Sequence, residues 1–165
     1  MTQYDAQDIT LTIRRATADD LAVVTDILAK LYGEQRYDEL LEDNRHILSD
    51  DTQVIFLAFA GEVGNEANSK SIGAVHTSIR REYVEGRFDD APIGYLEGIF
   101  VEGEYRKRGA ARALAQASED WATARGCHAM ASDCALDNTD SLKFHLSVGF
   151  GEANRNIHFI KRLGD

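Results

Sequence analysis

The sequence predicts an α/β (α+β) fold with a central mixed sheet flanked by helices. Three observations carry this. Two strand-type runs, residues 54–60 and 71–80, follow one another with only a polar turn between them, the pattern of a hairpin. Two later runs, 94–101 and 127–133, are separated by a helical stretch over 109–125, the pattern of a crossover between parallel strands. The chain has 165 residues, shows no internal repeat and has no Pro/Ser-rich linker, so 1–165 reads as a single domain. Hairpins followed by a crossover exclude an all-parallel, doubly wound sheet.

In chain order, Ile9, Leu11 and Ile13 alternate with polar residues, so 9–15 is a strand. Thr17-Ala18-Asp19-Asp20 resembles a capping box with Asp in place of Glu. It opens a helix whose apolar residues Leu21, Val24, Ile27, Leu28 and Leu31 recur at spacings of three and four and which ends at Gly33. A second helix carries Leu40, Leu41, Ile47 and Leu48. The apolar run 54–60 is a strand, 61–70 a polar turn and 71–80 the returning strand. Residues 81–92 are charged, irregular and include the one proline, Pro92. After the strand 94–101, the helix 109–125 places Ala111, Leu114, Ser118 and Trp121 on one face and stops at Arg125-Gly126. A strand over 127–133 and a short helix over 138–148 follow, with Asn138 as N-cap and Gly149 just past the end. Residues 156–163 complete the order as a last strand.

The charge narrows the function classes. Lys+Arg number 18 against 28 Asp+Glu, a formal net charge of −10. Nucleic acid and anionic membranes attract basic fields, so neither is an expected partner; the charge suits a cationic partner better, and solubility alone is the other reading. No apolar run approaches the roughly 20 residues that span a bilayer, and the first ten residues have no signal-peptide character. Cys127 and Cys134 are seven apart, which puts them on opposite faces of a regular strand, so they are not expected to pair. No metal-ligand array is visible, and a reduced, cytoplasmic setting with no metal is the expectation.

The segment Glu104-Tyr105-Arg106-Lys107-Arg108-Gly109-Ala110-Ala111 breaks a local rule. Helix N-termini carry partial positive charge and favour acidic residues, yet three consecutive cations precede this helix. A solvated basic turn is one reading. Another is a bound anion, since Gly109, Ala110 and Ala111 lack bulk and leave backbone N–H groups approachable. The nucleotide-triphosphate and dinucleotide loops are excluded by their missing Gly-Lys-Ser/Thr ending and missing glycines.

Arg106-x-x-Gly109-x-Ala111 resembles the pyrophosphate loop of the GCN5-related N-acetyltransferases (GNAT), Gln/Arg-x-x-Gly-x-Gly/Ala. Its surroundings agree: a preceding strand ending Ile99-Phe100-Val101, a following Asn138, and Val148-Gly149-Phe150 where the family has Leu-Gly-Phe. Within that family, Ser78-Ile79-Arg80-Arg81-Glu82-Tyr83-Val84, Tyr95-Leu96-Glu97-Gly98-Ile99-Phe100-Val101 and Ala131-Ser132-Asp133 resemble the aminoglycoside 6′-N-acetyltransferases of type I, over about Ser71 to Lys161. The resemblance implies the acyl-CoA N-acyltransferase fold, with a splay between the fourth and fifth strands. It implies acetyl-CoA as co-substrate, held by Arg106, Lys107, Arg108, Gly109, Ala110 and Ala111 at the pyrophosphate, by Ile99, Phe100 and Val101 along the pantetheine, and by Asn138. It implies a polycationic aminoglycoside substrate contacted by Tyr83, Glu97, Asp133 and Asn154, direct attack without an acyl-enzyme, antibiotic resistance as the outcome, and a homodimer.

The residues themselves support parts of that picture. Glu97 lies in an otherwise apolar strand, where a carboxylate is rarely buried unless paired, so it either faces a cleft or meets an arginine. Gly98 beside it is a candidate bulge. Asp133 ends a strand where α/β ligands bind; it either serves as amine ligand and base or, with Asp137, caps the next helix. His145 stands where many relatives carry a Tyr that protonates the departing thiolate, and its imidazole suits that work; a structural histidine is the alternative. Cys127 and Cys134 read as small packing residues rather than nucleophiles. Two rival functions stay open: acetylation of a polyamine or peptide terminus, and a non-catalytic acyl-CoA sensor.

Overall fold

The computed structural model of the protein describes residues 9–62, 65–82 and 84–163. The alternating run Ile9–Arg15 forms β1 and pairs antiparallel with β2, Gln53–Glu62. β2 pairs antiparallel with β3, Asn65–Arg80, and β3 with β4, Ile93–Val101. β5, Ala129–Ser132, runs parallel to β4 at the edge of the sheet, which among the described residues has the order β1-β2-β3-β4-β5. One hairpin is longer than the sequence implies. Residues 61–62 and 65–70 of the polar stretch are not a turn; the strands continue to the pair Glu62–Asn65, with register shifts near Ala58 and Ala60 absorbing the irregular pattern.

Helices α1, Leu21–Tyr32, and α2, Tyr37–Ser49, cover one face. Val24, Ile27 and Leu28 of α1 pack with Ile55, Leu57 and Ala74 of the sheet. Burying each such side chain contributes roughly 1.5–3 kcal/mol. The capping role read for Thr17 and Asp20 is present: the Thr17 N–H donates to Asp20 Oδ2 at 2.8 Å, and Arg14 grips the same carboxylate at 2.7 and 2.8 Å. The fully buried Asn44 donates to Thr25 Oγ1 at 3.2 Å, which ties α2 to α1.

Helix α3, Ala110–Thr123, covers the opposite face. Ala110 and Leu114 pack on Ala58, Ile72, Val75, Leu96 and Val101, and Trp121 packs on Val54 and Cys127. Thr77 of β3 donates to Ser118 of α3 at 2.8 Å, and Ser118 donates to the Leu114 carbonyl at 3.2 Å, so both buried hydroxyls are satisfied. Helix α4, Thr139–Ser147, follows β5, and the Asn138 side chain accepts from the Ser141 N–H at its start.

Two predicted ends differ. The fifth strand is shorter than 127–133: Cys127 is buried ahead of it, and Asp133 lies just beyond it. Residues 156–163 are not a strand. They have no regular structure, and Ile157, Phe159, Ile160 and Leu163 are between 78% and 100% exposed. Alternating apolar residues suit a strand, but a strand exists only by pairing, and among the described residues this segment pairs with no other.

Candidate active site

The site grows from a defect in the sheet. β4 has nine residues, but β5 pairs with only the first four, Ile93 to Leu96. Beyond the Leu96–Ser132 pair the two strands part, so among the described residues no strand lies beside the outer edge of β4 from Glu97 to Val101. This is the predicted splay. The other edge of β4 carries an irregularity at the same level: His76 pairs with Gly98 and Thr77 with Leu96, so Glu97 is the extra residue of a bulge. The Gly98 anticipated at a bulge also admits Tyr32 of α1. A Cβ there would lie 2.1 Å from the Tyr32 hydroxyl, which donates to the Glu97 carbonyl at 3.3 Å.

Around the fork the structure gathers Tyr95, Glu97, Ser132, Asp133 and His145. Asp133 is exposed and accepts the Tyr95 hydroxyl in a short hydrogen bond. Burial, that bond and the charge of Asp133 push the Tyr95 phenol up to about 12, so it stays a donor throughout the neutral range. Tyr32 is also raised, first by burial and then by the charges of Glu97 and Asp133. Glu97 meets an arginine: Arg80 Nη2 lies 2.7 and 2.8 Å from its two oxygens, and Ser78 Oγ donates to it at 2.5 Å. Burial works against the Arg80 charge, but the ion pair outweighs it and raises the group. The Arg80 guanidinium lies 3.3 Å from the centre of the Tyr95 ring, which joins the Glu97 and Asp133 arms into one polar cluster.

His145 reaches the fork from α4. Its Nε2 lies 2.9 Å from Ser132 Oγ. Asn138 serves as the helix N-cap through its Oδ1, which leaves its NH2 group as the donor a CoA arm would meet. Asn154 uses its side-chain oxygen on the Arg155 N–H at 2.7 Å, and among the described residues no bond joins it to Glu97 or Asp133. Tyr83 lies outside the described residues. Glu39 is paired with Arg36, and Asp89 with His128.

At the far end of β4 the basic loop begins. Arg106 Nε donates to the Val101 carbonyl at 3.0 Å, which pins the loop to the strand end. Lys107 has φ 61° and Gly109 φ 90°, two left-handed residues in three positions ahead of α3. Such turns aim successive N–H groups into one concavity, and the first-turn N–H groups of α3 have no partner inside the helix. Arg106, Lys107, Arg108 and Gly109 are all exposed at this helix start. The loop conformation and the open edge of β4 fit a diphosphate with an extended arm running from it toward the fork. Among the described residues, no three His, Cys, Asp or Glu side chains gather as metal ligands. No helix there is long and apolar enough to cross a membrane.

Cys127 is buried, and burial pushes its thiol up, away from nucleophilic character. Sequence reasoning did not assign Tyr95, Arg80, Ser78 or Ser132 to the site. Tyr95 is two residues from Glu97, and Ser132 precedes Asp133, so adjacency was a usable signal. The bulge at Glu97 is what defeats simple strand parity.

A mixed sheet split between its fourth and fifth strands, with a phosphate-type loop leading into the helix that follows, defines a class: acyltransferases that lay an acyl-CoA along the split. The chain belongs to the Acetyltransferase (GNAT) family, which matches residues 21–150. Among relatives, it is 42% identical over 125 residues to an aminoglycoside N(6′)-acetyltransferase type 1 of Salmonella typhimurium, covering 76% of this chain and 81% of that one. A protein of the same description from Acinetobacter baumannii is 37% identical over 124 residues, covering 75% and 80%. Among solved structures, AAC(6′)-Iy in complex with the bisubstrate analog CoA-S-monomethyl-acetylneamine superimposes with TM-score 0.83 at 35% identity, over 93% of this chain and 99% of that one. The aminoglycoside 6′-N-acetyltransferase AAC(6′)-Ih from Acinetobacter baumannii gives 0.84 at 32%, over 94% and 100%.

Proposed function

We propose that this protein transfers the acetyl group of acetyl-CoA to the 6′-amine of aminoglycosides and so inactivates them as antibiotics. The observation that carries this is the position of Asp133, exposed at the mouth of the fork with one oxygen held by Tyr95. The remaining oxygen is available to receive an ammonium group and to take its proton as the amine attacks. Relatives named as aminoglycoside N(6′)-acetyltransferases, and a similar fold solved with a CoA–neamine analog, support the same substrate.

The division of labour follows charge. Arg106, Lys107 and Arg108, with the Gly109-Ala110-Ala111 helix start, hold the diphosphate of CoA. The backbone of Ile99, Phe100 and Val101 offers its unpaired edge to the pantetheine, and Asn138 contacts the same arm. Acetyl-CoA supplies the activated acyl group. Glu97, held by Arg80 and Ser78, lines the fork beside Asp133, whose charge meets no cation among the described residues and draws in a polycationic sugar. Tyr83 and Asn154 complete the sugar site, and His145 supplies the proton for the departing sulfur.

We place this activity in the cytoplasm, where acetyl-CoA is made and where free thiols such as Cys127 and Cys134 persist. We also propose a homodimer. The exposed apolar side chains of Ile157, Phe159, Ile160 and Leu163, together with the bare outer edge of β5, suit pairing with a second copy. Sedimentation of the full chain should give twice the monomer mass.

A thiol-release assay with acetyl-CoA tests the function. Kanamycin-type drugs with a 6′-amine should be turned over, and analogues with a 6′-hydroxyl should not. Turnover of polyamines or peptide termini in preference to either would overturn the aminoglycoside assignment.

A further inference from the structure

We propose that Ser132 is a catalytic residue: its hydroxyl hands a proton to the leaving sulfur, and His145 refills it. The proposal rests on the acetyltransferase reading above and adds a residue that reading does not use.

The hydrogen bonds of His145 carry the argument. Its Nδ1 lies 2.8 Å from the carbonyl oxygen of Ser141, one turn earlier in α4, with the Ser141 hydroxyl farther off at 3.3 Å, so the carbonyl is its main partner. A carbonyl only accepts, so Nδ1 bears a proton, and the ring's other nitrogen is the one that varies. That nitrogen, Nε2, lies 2.9 Å from Ser132 Oγ, and Ser132 Oγ lies 2.9 Å from the Leu96 carbonyl. The chain of contacts therefore ends in a carbonyl on both sides. With Nε2–H present, His145 donates to Ser132 and Ser132 donates to Leu96. With Nε2 bare, Ser132 turns and donates to the ring. The same heavy atoms thus accommodate two states that differ by one proton, as a relay requires.

Position supports the assignment. Ser132 is the last residue of β5 and pairs with Leu96, the last residue of β4 that β5 reaches. Its hydroxyl occupies Nε2, so a proton leaving the ring at that atom passes through Ser132. The Phe144 and Phe150 rings meet the imidazole edge-on, each with centroids 5.2 Å away, which fixes the plane of the ring. Asp133, the amine ligand, is the next residue, so the acid and base ends of the reaction are adjacent in the chain.

The step balances. As the carbon–sulfur bond breaks, its electron pair stays on sulfur. The Ser132 hydroxyl turns from the Leu96 carbonyl and its proton moves to sulfur, the Nε2–H proton of the doubly protonated His145 ring moves to Oγ, and the imidazole is left neutral with its remaining proton on Nδ1, still donated to the Ser141 carbonyl. Solvent returns the proton after product release.

The test compares wild type, S132A, S132T, H145N and the double variant S132A/H145N. Thiols are good leaving groups, so the expected loss of kcat in S132A is about tenfold to a hundredfold, at the low end for general acid catalysis. KM for acetyl-CoA should stay within about twofold, S132T should retain most activity because it keeps the hydroxyl, and the double variant should match H145N alone. A proton inventory in mixed H2O and D2O should be curved for wild type and linear for S132A. In the ligand-free protein, nitrogen NMR should find the neutral ring protonated at Nδ1, with the Nε2 signal moved by S132A. Wild-type kcat in S132A, multiplicative losses in the double variant, or a neutral ring protonated at Nε2 would each overturn the relay. Failure of wild type to release thiol with any amine would instead overturn the acetyltransferase reading.

Discussion

Tyr95 holds Asp133 across the fork between β4 and β5, hydroxyl to carboxylate. Tyr95 belongs to the stretch of β4 that is paired on both sides, whereas Asp133 has already left β5. The bond thus fixes a side chain on an exposed segment to the rigid sheet. Removing only the hydroxyl, Y95F, should lower kcat by about tenfold through misorientation. The fold should be largely kept, since the ring and its contact with Arg80 remain. A thermal melt beside steady-state kinetics checks this; a melt unchanged with kcat unchanged would show that Asp133 needs no such support.

Asp133 itself should matter for turnover rather than for the acyl donor. D133N keeps the shape and the acceptor for Tyr95 but removes the base and the negative charge. The expected loss of kcat is about a hundredfold or more, with the Kd of acetyl-CoA, measured by calorimetry, little changed. Equal losses in both would remove Asp133 from the amine site.

The loop before α3 should show the opposite pattern. R106A removes the bond that pins the loop to Val101, as well as a cation. G109A forces a side chain into φ 90°, at a cost of about 1–2 kcal/mol. Both should raise KM for acetyl-CoA by about tenfold and leave aminoglycoside KM near wild type. The effect of R106A should shrink as salt is raised, because its attraction to the diphosphate is then screened in the wild type.

A stability prediction comes from the other end of the sheet. Arg14, chiefly through its hydrogen bonds, holds the Asp20 carboxyl well below the usual carboxylate range, and the Thr17 N–H adds to this. A depressed folded-state value stabilises the protein above the unfolded value, near 4, and that contribution is lost as pH falls. D20N should therefore destabilise by about 1–2 kcal/mol at pH 7. Urea melts repeated below about pH 4 should narrow the gap between the two proteins progressively, the wild type losing stability faster.

Much of this was legible in the sequence because local rules and tertiary needs agree. The α1 stripe from Val24 to Leu28 and the Leu114–Trp121 face of α3 are buried as their spacing implies. The basic loop stood out because it violates the preference for acid at a helix start. The bulge was visible only as a glycine, Gly98; that Glu97 is the extra residue depends on where β3 pairs, which no local pattern records. The Arg80–Glu97 and Tyr95–Asp133 partnerships join residues brought together by sheet register. Residues 156–163 have a strand's pattern without a strand's neighbour, so the alternation describes a surface that wants covering rather than an element within one chain.

The central claim is that the fork presents one particular nitrogen of an aminoglycoside to the acyl donor. Carbon–proton NMR of the product from a kanamycin-type drug, made with acetyl-labelled acetyl-CoA, reads it directly. The account predicts a single acetamide at the 6′ nitrogen. Acetyl groups on ring amines, or a mixture of positions, would contradict it.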